Sequence, residues 1–144
     1  MTEFTRTACS CPACVECCQR QPGPLAPGDM EKIAEWVGQP VNEVMQYFWA
    51  SPGALVQDVE TGRRRMIPTI TPKIEAHGCT FLVDNRCVIH PVAPFGCSKF
   101  DTHQRPAEYV PRAAFLYRSI EDSDVYARQR GMLPPATSWK PRGR

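Results

Sequence analysis

The chain has 144 residues, 42% of them hydrophobic, and a formal net charge of +2 at pH 7. That length suits one domain with a modest core. The near-neutral balance excludes no class of partner but does not demand nucleic-acid binding, because the basic residues are scattered apart from Arg63-Arg64-Arg65 and the terminal Lys140, Arg142 and Arg144. Residues 1–8 hold no apolar core of signal-peptide length and no run approaches a bilayer span, so a cytoplasmic protein without a membrane segment is expected.

Five of the eight cysteines lie in the ten residues from Cys9 to Cys18. A reducing compartment favours metal ligation or redox chemistry over disulfides, and the adjacent Cys17 and Cys18 fit a disulfide framework poorly because neighbouring side chains diverge. Cys11, Cys14 and Cys17 repeat the C-x-x-C interval, which turns successive sulfurs toward one centre in zinc ribbons and iron-sulfur loops alike. Residues 9–27 show no apolar period, so an irregular cysteine-rich loop is expected there, ordered by metal rather than by burial.

After Gly28, Asp29 reads as the N-cap of a helix carrying Ile33, Trp36 and Val37 and stopping at Gly38. A second short helix is expected over 41–50, with Val44, Met45, Phe48 and Trp49 on one side. Trp36, Tyr47, Phe48 and Trp49 are read as core. Residues 54–70 alternate about Thr61-Gly62 and predict a hairpin, its second strand confined to an edge by Pro68 and Pro72. The three arginines would then alternate between faces, as on a charge-protected edge strand.

A second hairpin is expected about Asp84-Asn85, with Cys79 and Cys87 on its arms. Beyond an irregular stretch that includes Cys97, residues 113–120 and 124–129 predict two helices, the second capped from the cluster 121–124. The whole reads as a small metal-stapled α+β domain over 1–135, with short helices and one or two hairpins, followed by a basic tail at 136–144. His77 and His103 have no partner pattern. His90, three residues after Cys87, reads as a hydrogen-bonding neighbour of the cysteines, a ligand, or a surface side chain.

Taken together, Cys11-x2-Cys14-x2-Cys17-Cys18, Gly78-Cys79-x-Phe81-Leu82 and Cys87-x-Ile89-His90-x3-Pro94-x2-Cys97-x2-Phe100 resemble the zinc- or iron-chelating cysteine-cluster family, also called YkgJ-like. The chain departs from that pattern at His90 (tyrosine is usual), Ala93 (arginine) and Ser98 (arginine), but keeps every cysteine. The resemblance implies Cys11, Cys14, Cys17, Cys18, Cys79, Cys87 and Cys97 as the metal-ligating set, with Cys9 outside it.

Seven thiols exceed the four that one zinc or one 4Fe-4S cluster takes. The crowded cysteines and the resemblance favour a 4Fe-4S cluster, with zinc as the alternative. Three roles stay open: a redox accessory meeting a partner protein, a zinc-stabilised interaction module without catalysis, and an iron-sulfur enzyme with one iron left open. No paired carboxylates or nucleophile-base pair identify a catalytic residue or a substrate.

Overall fold

The computed structural model describes residues 23–57, 61–76, 78–84, 86–99 and 104–136. The cysteine-rich loop expected over 9–27 therefore lies outside them as far as residue 22, as do His77, Asn85, Phe100, His103 and residues 137–144 of the expected tail.

Helix α1, Asp29–Val37, forms because Met30, Ile33 and Ala34 recur at helical spacing and face the core, while Glu31, Lys32 and Glu35 face water. It ends at Gly38, whose φ of 73° lets its N–H return to the Ala34 carbonyl at 3.0 Å. Asp29 is the first helical residue rather than the N-cap. Gly28 holds the cap position without a side-chain bond, and the Asp29 carboxylate is committed elsewhere.

The helix expected over 41–50 is shorter. Helix α2 spans Val41–Val44, a 3-10 turn covers Met45–Tyr47, and strand β1 runs over Phe48–Gln57. Pro52 disfavours helix at the residue before it, and pairing with β2 (Arg64–Pro72) supplies the backbone bonds that helix would have made. Phe48 and Trp49 are both buried, on opposite faces of the strand rather than on one side of a helix. Trp49 Nε1 donates to Oγ1 of its cross-strand partner Thr71 at 3.0 Å.

The β1–β2 pair is the antiparallel hairpin expected from the alternation, and β2 lies in a two-stranded sheet as its prolines require. Its register slips between Ser51 and Ala54, where Gly53 has φ 102° and sits so close to the Ile67 carbonyl that no Cβ fits. At the paired residues Ala50 and Ile70 the backbone groups point away from the hairpin. Ala50 bonds Pro134 and Ala136, and Ile70 bonds Leu25 and Tyr126.

Two further short strand pairings follow the same antiparallel rule. Strands β3 (Ile74–Glu75) and β4 (Gly78–Cys79) pair with each other, as do β5 (Leu82–Val83) and β6 (Arg86–Cys87), so the two small pairs and the long hairpin make separate two-stranded sheets. The turn between β5 and β6 includes Asp84 at φ 51°, a conformation that aspartate tolerates better than most residues. Cys87 belongs to this hairpin as expected, whereas Cys79 belongs to the β3–β4 pair.

A 3-10 turn, His90–Val92, leads into the single-turn helix α3, Phe95–Ser98. Helix α4 spans Pro106–Glu121, starting earlier than expected. Pro106 occupies the first turn, where it costs no bond, and Pro111 is tolerated inside the helix on its exposed side. Helix α5, Asp124–Gly131, is capped by Ser123, whose Oγ accepts from Tyr126 N–H at 3.1 Å. Ser123→Ala is expected to cost about 1 kcal/mol, read as a lower midpoint in urea unfolding.

The expected α+β class is met, with one core shared by α1, α2, the β1–β2 hairpin, the small pairs and the two C-terminal helices. Phe81 anchors it against Phe48 and Tyr47, at ring-centroid distances of 5.6 and 5.7 Å. Trp36, expected in the core, is 52% exposed. It lies on the flank of α1 beside the buried stripe, where its Nε1 reaches the Val88 carbonyl at 3.4 Å.

Candidate metal centre

Three of the expected ligands lie among the described residues, each on a different element: Cys79 on β4, Cys87 on β6 and Cys97 on α3. Cys79 is buried in the core. Cys87 packs against it, paired with buried Leu82, while Val83 and Arg86 on the opposite face are exposed. Cys97 is half-buried on the single-turn helix that follows Pro94. Cys9, Cys11, Cys14, Cys17 and Cys18 lie outside the described residues. Among the described residues no group of three or more His, Cys, Asp or Glu side chains is placed to hold a metal ion.

Residues 23–26 form a strap that carries the chain from the cysteine run into the core. At its start, Gly23 N–H donates to Cys97 Sγ at 3.1 Å, and that sulfur lies 3.9 Å from the Gly23 carbonyl oxygen. The next bond is Gly96 N–H to the Pro24 carbonyl at 2.9 Å, and Leu25 N–H then donates to the Ile70 carbonyl at 2.9 Å. Backbones meet so closely here that a Cβ on Gly23 would overlap the Gly96 carbonyl carbon, and one on Gly96 would overlap the Pro24 ring.

Two buried side chains hold the strap. Asp29 Oδ2 accepts from Ala26 N–H and from Phe95 N–H, both at 2.8 Å. Burial pushes the Asp29 carboxyl above its ordinary value of 3.8, opposed by those two bonds and by the charges of Lys32 and Lys99. Tyr126 Oη donates to the Leu25 carbonyl at 2.9 Å and accepts from Ile70 N–H at 2.7 Å. Burial holds its hydroxyl well above the usual tyrosine range, partly offset by the Ile70 bond.

The chemistry of the Cys97 environment fits a metal-bound thiolate. A backbone N–H aimed at sulfur compensates negative charge on it, and such bonds are one of the levers that set the properties of thiolate metal sites. A donor set drawn from the expected cysteines would be sulfur-rich, and sulfur donors select zinc and iron-sulfur clusters over hard cations such as calcium or magnesium.

His90 opens the 3-10 turn and is exposed. Sequence reasoning placed Asp29 at the opening of α1 but missed its two partners, and it gave no role to Gly23, Gly96 or Tyr126. Only the Gly-Pro and Gly-Cys pairs at 23–24 and 96–97 hinted at a close backbone approach.

No helix among the described residues is long and apolar enough to cross a membrane. No curated protein and no solved structure matches the chain. A family model does match residues 10–115, from within the cysteine run to the second half of α4 and through all three cysteine-bearing elements: the chain belongs to the CxxCxxCC family, described as "Putative zinc- or iron-chelating domain".

Proposed function

We propose that the protein carries a cysteine-ligated iron-sulfur centre of the 4Fe-4S type, drawn from Cys11, Cys14, Cys17, Cys18, Cys79, Cys87 and Cys97, and that it serves as an electron carrier or accessory to a redox enzyme. One observation carries the reading: Gly23 N–H meets Cys97 Sγ at 3.1 Å. Gly23 lies five positions after Cys18, so the chain keeps Cys18 within about 18 Å of Gly23 even when fully extended. Chain connectivity thereby keeps Cys18, the last cysteine of the run, within that reach of a segment bonded to a cysteine 79 positions further on.

A bound 4Fe-4S cluster supplies one-electron chemistry at a potential set by charge, hydrogen bonds to sulfur and solvent exposure. The chain's own contribution is to hold the thiolates, donate to Cys97 Sγ and shield Cys79 in the core. Ligation of each iron by cysteine favours outer-sphere exchange with a partner protein over substrate binding. A reducing cytoplasm suits this donor set.

The test is an ultraviolet-visible spectrum with metal and sulfide analysis on protein purified without oxygen. Broad absorption near about 400 nm, with iron and sulfide in equal amounts and reversible bleaching on reduction, is the expected result. A colourless protein with stoichiometric zinc overturns the cluster and leaves a zinc-stabilised module. A cluster held by fewer than four protein ligands, with one iron left open, would point instead to an open-site enzyme.

A further inference from the structure

We propose that Asp29 is a positioning residue for the metal centre, acting through the strap at residues 23–26 and helix α3 without touching the metal. The proposal rests on the reading of Cys97 as a ligand. A single oxygen, Asp29 Oδ2, takes both the Ala26 N–H and the Phe95 N–H. Ala26 is three residues from Gly23, and Phe95 is two residues from Cys97. One buried atom therefore sets the spacing between the chain leaving the cysteine run and the turn that presents Cys97.

The two remaining cross-links, Gly23 N–H to Cys97 Sγ and Gly96 N–H to the Pro24 carbonyl, run between the same two segments. The glycines permit the approach, but glycines do not enforce it. The carboxylate does, because it bonds one backbone N–H from each side and is itself fixed at the first position of α1. Buried N–H groups deprived of this acceptor would seek another, and the strap would move off Cys97.

Protein purified without oxygen is challenged with EDTA, and retained iron and zinc are followed by elemental analysis at a temperature where every variant is folded. Asp29→Ala is expected to weaken metal retention about 10–100-fold. Asp29→Asn, which keeps an oxygen able to accept both bonds, is expected to recover most of that loss. Ile33→Ala, a pure core truncation on the same helix, is the control: at a similar melting temperature it should retain metal like the parent. Equal losses in Asp29→Ala and Ile33→Ala overturn the proposal, since Asp29 would then act only through stability.

If Asp29→Ala does not fold, Asp29→Ser, whose shorter side chain cannot reach both the Ala26 and Phe95 N–H groups, is compared with Ile33→Val. Weaker retention in Asp29→Ser than in Ile33→Val supports the positioning role, and coincidence of the two removes it. Cys97→Ser separates the two levels. Loss of metal in Cys97→Ser without a specific Asp29 effect leaves the ligand reading intact and the positioning role refuted. Parent-like retention in Cys97→Ser refutes both.

Discussion

Cys97→Ser is expected to deprive the protein of stoichiometric metal and to lower its melting temperature by roughly 6–12 °C, taking a loss of about 3 kcal/mol at about 2–4 °C per kcal/mol for a chain of this size. Two losses combine at this sulfur. Metal binding by a segment that has no apolar face is also folding free energy, so losing a ligand removes order as well as metal. The same sulfur accepts the first hydrogen bond of the strap, from Gly23 N–H. A serine hydroxyl is shorter and is a poor ligand for soft metals, so it restores neither. Elemental analysis and thermal unfolding followed by circular dichroism check the prediction, with Cys9→Ser as the comparison that should leave both unchanged. Full metal content and an unchanged melting temperature in Cys97→Ser would remove Cys97 from the ligand set.

Tyr126→Phe is expected to destabilise the fold by about 2–6 kcal/mol. The ring still fills its site, but the Leu25 carbonyl and the Ile70 N–H lose their buried partner, each at a cost of about 1–3 kcal/mol. The size of the loss is read from urea unfolding at neutral pH.

The pH dependence of that difference is a second readout. The Tyr126 hydroxyl titrates higher in the folded protein than its ordinary value of 10.0. Its contribution is therefore complete below pH 10.0 and declines as pH climbs further, because the unfolded chain loses the proton first. The gap between parent and Tyr126→Phe should narrow in that alkaline window. Tyr117, also raised by burial, contributes to the alkaline limb of both proteins and cancels in the comparison. A gap that stays constant across the window would mean that the hydroxyl is not held in the protonated state by its surroundings.

The sequence by itself determined the features whose cause is local or compositional. The cysteine spacing identified the family, and the match over residues 10–115 bears that out. The alternation either side of Thr61-Gly62 and the Asp84-Asn85 pair marked two hairpins, because turn residues and period-two burial are written within a few positions of each other. The cluster 121–124 and Gly38 marked helix ends for the same reason, and the structure picks Ser123 from that cluster as the cap.

Only the tertiary structure decided the rest. Phe48 and Trp49 fit a helical stripe as well as a strand, and pairing with Pro72 and Thr71 chose the strand. The sequence predicts this helix only from residue 113, yet α4 begins at Pro106 and passes through Pro111, which lies on its exposed side. Asp29 looked like a cap, but its carboxylate serves Ala26 and, 66 positions away, Phe95. The approach of Gly23 to Cys97 spans 74 positions and leaves no periodic trace. A hydrogen bond between remote segments depends on where the whole core places them, and local propensity carries no record of that placement.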